Sequence, residues 1–306
     1  MRGLLTAPTC IWNGRMNSLR DSYRSPSPSR LIARLENKFL SADDSWWTGR
    51  HPLHTRVIAE VPLALYLNYL VRKTYVASLA PNIFRPLELP GSGDTTLFTI
   101  LLFTMKRARP AWAPRWLGAF APRIFQSNWR FYGSMQTPDS ESRNAVLFVR
   151  TVTNSLALSA FGRRLARCFP LRRAHHIKVA WTGRQLAAAI EAGGGSAPEL
   201  FFEGEQSERP DATQDFHNGF ATYDEYAHWI IDQHLSVTLW PREYVVQDMH
   251  LDCQQARITP LRCLRCYVSG VEDFVPDDGK PLDCFVVENL RVFLDTIYAV
   301  TDSGGK

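Results

Sequence analysis

The sequence predicts an α+β protein built mainly on an antiparallel sheet or barrel. Beyond residue 50 most of the chain reads as strand-like segments, and only two or three stretches carry a helical pattern. Strands and helices do not alternate, and no glycine-rich phosphate loop is present, which argues against a Rossmann or P-loop nucleotide-binding protein. With 306 residues and 45% apolar content, the chain can bury one large core or two small ones.

Residues 1–50 read as a basic, disordered tail, with eight Arg or Lys against four Asp or Glu and the linker-like run Arg24-Ser-Pro-Ser-Pro-Ser-Arg30. Within it, Leu31 to Leu40 has the spacing of one short amphipathic helix. The remaining 256 residues carry 27 basic and 26 acidic side chains, so the domain expected over 51–300 is close to neutral. A nucleic-acid cleft needs a clustered basic face, and none is expected there. Residues 301–306 read as a disordered end. Six irregularly spaced cysteines suggest reduced thiols and a cytoplasmic location. The longest apolar run, Val57 to Val71, is interrupted by Glu60, Pro62 and Asn68 and is too short for a transmembrane helix.

The elements follow in order. Val61 to Val71 is a β-rich apolar stretch, and Lys73 to Ala80 a helical turn stopped by Pro81. Thr95 to Met105 is apolar on both faces, as a strand buried on both sides would be. Arg109 to Pro122 is rich in Pro and Trp and is expected to form a rim rather than join the sheet. Phe125 to Tyr132 alternates, with Phe125, Ser127, Trp129 and Phe131 on one face and Gln126, Asn128, Arg130 and Tyr132 on the other. Val146 to Thr153 follows after the polar turn 137–144, predicting a hairpin. A helix over 156–167 leads to strands near 175–181 and 199–205. Thr222 and Glu225 have capping-box spacing for a second helix running to about Gln233. Strands near 235–240, 244–257, 261–268 and 284–299 complete the chain.

The order of these pieces resembles the acetoacetate decarboxylase-like superfamily. Val71-Arg-Lys-Thr-Tyr-Val-Ala-Ser-Leu-Ala-Pro81 with the exit Arg85-Pro-Leu-Glu-Leu89 is similar to that family's opening strand and short helix. Gln126 to Tyr132, Val146 to Thr153 and the passage 162–178 look more like its YqjF-like branch of domains of unknown function. The resemblance covers about residues 55–300. It implies a closed, cone-like, mainly antiparallel barrel with two or three peripheral helices and a pocket inside. In the decarboxylase a lysine directly after a Phe/Tyr-Pro pair forms a Schiff base with the keto acid, its pKa lowered by a neighbouring cation. Here Phe169-Pro170 is followed by Leu171, which cannot form an imine, and Arg172, which keeps only the neighbouring charge. Lysine-dependent decarboxylation is therefore not expected.

The resemblance turns the polar face of Asn128, Arg130 and Tyr132 into a candidate pocket wall, with Arg172 as residual charge. An arginine there would suit a carboxylate, although a polar exterior face fits the same alternation. Thr151 and Thr153 fall on one face of the next strand and Arg150 on the other. Catalytic candidates are His176, Glu203 and Lys178. His176 and Glu203 suit proton transfer, and Lys178 would replace the lost amine; against each stands the reading of a solvated strand residue. His175 alternates with His176, and Glu205 shares the face of Glu203. Asp224, His228 and Asp232 form a helical stripe that reads as a charged surface. His250-x-x-Cys253 and Cys263-x-x-Cys266 have zinc-like spacing but lie in regular strands, so no metal and no cofactor is expected.

The expected function is binding of a small, anionic organic ligand without the Schiff-base lysine, with a homo-oligomer compatible with it. A lyase or hydrolase using His176 or Glu203 is the alternative. An interaction protein docking through its basic tail is a third reading.

Overall fold

The computed structural model of the chain describes residues 56–301 apart from 81, 90–92, 137–140, 156–157, 159–170, 193–196, 209–219, 221, 241–242 and 271–278. The expected tail, the helix over 156–167 apart from Leu158, and the Phe169-Pro170 pair lie outside the described residues. Within them, thirteen strands form one sheet: β1 (Val57–Arg72), β2 (Phe84–Pro86), β3 (Thr95–Pro110), β4 (Ile124–Gln136), β5 (Ser142–Thr153), β6 (Leu171–Arg173), β7 (His176–Trp181), β8 (Gln185–Glu191), β9 (Leu200–Gln206), β10 (Leu235–Trp240), β11 (Glu243–Asp252), β12 (Arg257–Val268) and β13 (Asp283–Thr301). Helix α1 (Lys73–Leu79) follows β1, a 3-10 helix spans Arg115–Phe120, and α2 (Tyr223–Ile231) precedes β10.

Five strands in the order β13-β1-β3-β4-β5 make a spine, and each edge of it forks. Along β13, residues 284–288 pair with β12 and residues 291–301 with β11. Along β5, residues 145–148 pair with β10 and residues 151–153 with β6. The path through β10 and β11 returns to β13, and β13 pairs with β1, so the hydrogen-bonded path closes on itself. The other branch runs β12-β9-β8-β7. The Ala174 amide donates to the Thr153 carbonyl and the His175 amide to that of Glu191, which ties the β6–β7 junction to β5 and β8.

Both pairings at the β5 edge are parallel, so the sheet is mixed rather than plainly antiparallel. Each partner is reached by a crossover instead of a hairpin: 17 residues separate β5 from β6, and α2 returns the chain to the start of β10. Short period-two runs do not reveal such a return.

The spine is buried on both faces, which explains its nearly continuous hydrophobicity. On β1, Leu65, Leu67, Tyr69 and Val71 join a core with Trp129, Leu147, Ile190 and Phe202. The alternate residues Ala64 and Tyr66 join a second core with Tyr132, Phe148 and Phe285, sealed by Tyr226, Ala227, Ile230 and Ile231 of α2. Each fully buried leucine of this kind stabilises the fold by about 1.5–3 kcal/mol. β2 crosses β4 so closely that a Cβ on Gly133 would sit 2.3 Å from the Arg85 carbonyl, so only glycine fits there.

The expected N-cap is present: the Thr222 hydroxyl accepts from the Glu225 amide at 3.1 Å. The helix ends at Ile231, two residues before the expected Gln233. No described helix is long and apolar enough to cross a membrane.

Candidate functional site

The hairpin β4–β5 and the pairing of β4 with β3 put the alternating polar residues of β4 on the face covered by α2. Registers align Asp283, Asn68, Thr99 and Arg130 in one row across β13, β1, β3 and β4. The next row holds Phe285, Tyr66, Leu101, Asn128 and Thr151. Residues directly opposite across a ladder project to the same face. Arg130 and Asp283 therefore stand three strand spacings apart, about 14 Å between backbones.

Arg130 is 2% exposed. Its Nε and Nη2 donate to the Tyr132 hydroxyl at 3.2 and 2.9 Å, and Nη2 also reaches the Ile230 carbonyl at 3.4 Å. The guanidinium lies 5.6 Å from the ring centroid of Tyr66 and 5.2 Å from that of Tyr132. Burial disfavours its charge, but the Tyr132 and Tyr66 hydroxyls more than offset this, so its pKa lies above the ordinary guanidinium value. Burial in turn pushes the Tyr66 hydroxyl well above the usual phenol range, against the pull of Arg130. Tyr66 stacks on Phe285 at 4.7 Å and 13°.

The bond to Ile230 completes the C-terminus of α2. The His228 carbonyl accepts from the Asp232 amide, that of Trp229 from Gln233 Nε2, that of Ile231 from the Gln233 amide, and that of Ile230 from Arg130. All four final carbonyls thus have donors, and the cation sits at the negative end of the helix.

At the other end of the row is an acid network. Thr99 donates to Asn68 Oδ1, Asn68 Nδ2 to Asp283 Oδ2 at 3.0 Å, and Tyr223 to Asp283 Oδ1 at 3.1 Å. Asn68 and Asp283 are fully buried. Burial and the Asp283 charge hold the Tyr223 hydroxyl far above its ordinary pKa.

Polar groups on this face are incompletely paired among the described residues. Among the described residues no carboxylate pairs with Arg130; its hydrogen bonds go to the Tyr132 hydroxyl and the Ile230 carbonyl, and the Tyr66 hydroxyl also favours its charge. Asn128 Oδ1 accepts from Gln126 at 2.8 Å, while the Thr151 hydroxyl opposite it has no partner among the described residues. Buried polar atoms are normally satisfied, so such a set calls for water or a ligand.

Asn128, Arg130 and Tyr132 therefore share one buried face. The other candidates lie elsewhere. His176 is exposed on β7, its ring 4.1 Å from that of His175. Lys178 is exposed and its ammonium pairs with Glu191 at 2.9 Å. Glu203 lies 3.7 Å from Arg265 on β12. The structure does not bring these three to Arg130. Arg172 is exposed and sits opposite Val152, on the other side of the ladder from Thr151. Asp224 and His228 are exposed on α2, and Asp232 is exposed at its C-cap. No group of three or more His, Cys, Asp or Glu able to hold a metal occurs among the described residues. Sequence reasoning missed Asn68, Thr99, Asp283 and Tyr66, which carry no local motif; the polar interruption of an apolar strand at Asn68 was the one available signal.

A mixed sheet folded back on itself, with a helix sealing one face over a buried cation, defines a strand-dominated α+β class. Its fold is similar to that of acetoacetate decarboxylase. An acetoacetate decarboxylase from Legionella pneumophila superposes with a TM-score of 0.52 at 11% identity, covering 85% of this chain and 92% of that one. An acetoacetate decarboxylase-like enzyme from Sphingomonas wittichii RW1 gives 0.48 at 9% over 80% and 93%. The enduracididine biosynthesis enzyme MppR complexed with pyruvate gives 0.45 at 10% over 84% and 92%. No family model and no curated protein matches the sequence.

Proposed function

We propose that this protein binds a small organic anion at Arg130, beneath α2, without an imine-forming lysine. The observation that carries the reading is a buried guanidinium whose described partners are a phenol, a carbonyl and ring faces, none of which neutralises it. A carboxylate accepting from the guanidinium would supply the missing opposite charge. Asn128 and Thr151, one row away, offer further polar contacts, and Tyr66 and Phe285 an apolar wall. The return of β13 to β1 supports reading the sheet as a closed cone around such a site. Leu171 at the position that follows Phe169-Pro170 keeps the site free of Schiff-base chemistry. A thermal-shift screen with small mono- and dicarboxylates tests the reading. At least one acid raises the melting temperature of the wild type and not of Asn128→Ala or Arg130→Lys; a shift equal in all three proteins, or none with any acid, overturns it.

A further inference from the structure

The Pro/Trp-rich segment between β3 and β4 takes no part in the site beneath α2, yet it holds the largest exposed apolar cluster among the described residues. Trp112 is 77% exposed, Trp116 64%, Leu117 41% and Phe120 79%. Trp116 and Phe120 pack edge to face with centroids 6.2 Å apart. Exposure this high means that solvent reaches each side chain from most directions, as on a protruding knob rather than a groove.

The knob is firmly built. Arg109 Nη1 donates to the carbonyls of Pro110, Ala111 and Ala113, and the Ala111 amide donates to the Arg56 carbonyl. The Ala113 amide donates to Pro110 and the Leu117 amide to Pro114. Gly118 lies against β3 so tightly that a Cβ there would approach the Arg107 carbonyl to 2.9 Å. Such pre-organisation lowers the entropic cost of presenting large apolar side chains to a partner.

Its charge has one sign. Residues 106–123 contain Lys106, Arg107, Arg109, Arg115 and Arg123 and no acid. Lys106, Arg107, Arg115 and Arg123 are exposed; Arg107 pairs with Glu60 at the base of the knob, and Arg123 lies over the Phe125 ring. A two-fold dimer would set this cationic patch against itself and bring like charges together. Single-stranded nucleic acid is held by a basic groove that tracks its backbone beside the stacking rings, and a convex knob offers no such groove. Exposed tryptophan and phenylalanine in one segment with exposed arginine and lysine and no acid suit the boundary of an anionic lipid surface, where apolar rings enter the acyl margin and cations meet head groups.

We infer that this knob docks the protein on anionic membrane surfaces. The test is co-sedimentation of the full chain with vesicles of equal phosphatidylglycerol and phosphatidylcholine, against vesicles of phosphatidylcholine alone. The wild type binds the anionic vesicles and the combined variant Trp112→Ser, Trp116→Ser, Phe120→Ser loses about tenfold or more in partitioning; Arg115→Gln with Arg123→Gln loses a similar factor, and both variants keep the wild-type circular dichroism. Absence of wild-type binding overturns the inference, as does binding that survives the serine changes, which would place it in the basic tail. Sedimentation showing a dimer that the serine variant dissociates, or tighter binding to single-stranded DNA than to vesicles, overturns it as well.

Discussion

Arg130 on β4 donates from Nη2 to the carbonyl of Ile230, 100 residues later in the chain, and so supplies the last missing donor at the end of α2. The same guanidinium has no carboxylate among the described residues, so one side chain serves both as a cap and as a buried charge held by phenol hydroxyls instead of an acid.

These two roles predict opposite stabilities for Arg130→Met. Losing a long hydrogen bond to a carbonyl costs about 0.5–1.5 kcal/mol. Removing a buried charge without an acid partner relieves several kcal/mol of desolvation. The Tyr132 and Tyr66 hydroxyls already offset that penalty, so the two effects nearly cancel and urea unfolding of ligand-free Arg130→Met is expected to show stability within about 1.5 kcal/mol of the wild type. A loss of more than about 3 kcal/mol would make Arg130 a structural cap instead.

Thr222→Ala is expected to destabilise the protein by about 1 kcal/mol, because it removes the acceptor for the Glu225 amide at the start of α2. The helix carries Tyr226, Ala227, Ile230 and Ile231 onto the second core, so the loss should appear in global unfolding rather than in local fraying. An unchanged denaturation midpoint would show that α2 needs no cap.

Alkaline pH should weaken the fold before the buried tyrosines ionise. The hydroxyls of Tyr66, Tyr69, Tyr223 and Tyr226 all have raised pKa values, chiefly through burial. A raised folded-state value means that the unfolded chain loses these protons first, near pH 10. Stability is therefore full below about pH 10 and falls above it, by about 1.4 kcal/mol per pH unit for each such group. Absorbance titration at 295 nm should show these phenols ionising only together with unfolding. Reversible titration of all ten tyrosines near pH 10 in the folded protein would contradict this.

The cysteines should react unequally. Burial, reinforced by Asp232 and Asp252, pushes the Cys253 thiol up to about 11. Hydrogen bonds from Cys263 and Tyr69 to Cys266, whose sulfur lies 3.5 Å from the Tyr69 hydroxyl, lower its pKa. A register shift between Cys263 and Arg265 turns both Cys263 and Cys266 towards the first core despite their odd spacing. Timed iodoacetamide labelling read by mass spectrometry should modify Cys266 before Cys253; the reverse order would refute the assignment.

Much of this architecture was legible in the sequence, for reasons that can be named. The unbroken hydrophobicity of Thr95 to Met105 announced a strand buried on both faces, and β3 is one. The alternation from Phe125 to Tyr132 placed Trp129 and Arg130 on opposite faces, and Trp129 belongs to the first core while Arg130 lies beneath α2. Arg150, expected to face away from Thr151, stacks over Trp129 at 5.0 Å. Less legible was β8, Gln185–Glu191, whose alanines have low strand propensity and whose alternation rests only on Leu186, Ala188 and Ile190. β6 has three residues and is defined by a parallel partner 20 positions away, which no local pattern encodes. The row from Asp283 to Arg130 is likewise a product of register across four strands.

The most direct test of the account is isothermal titration of the best-binding small carboxylate and of its methyl ester, with wild type and Arg130→Lys. The account predicts that the acid binds the wild type, that the ester does not, and that Arg130→Lys, which keeps a charge but loses the planar fork, weakens the acid by about tenfold or more. Equal binding of acid and ester, or an affinity unchanged in Arg130→Lys, would contradict an anion site at Arg130.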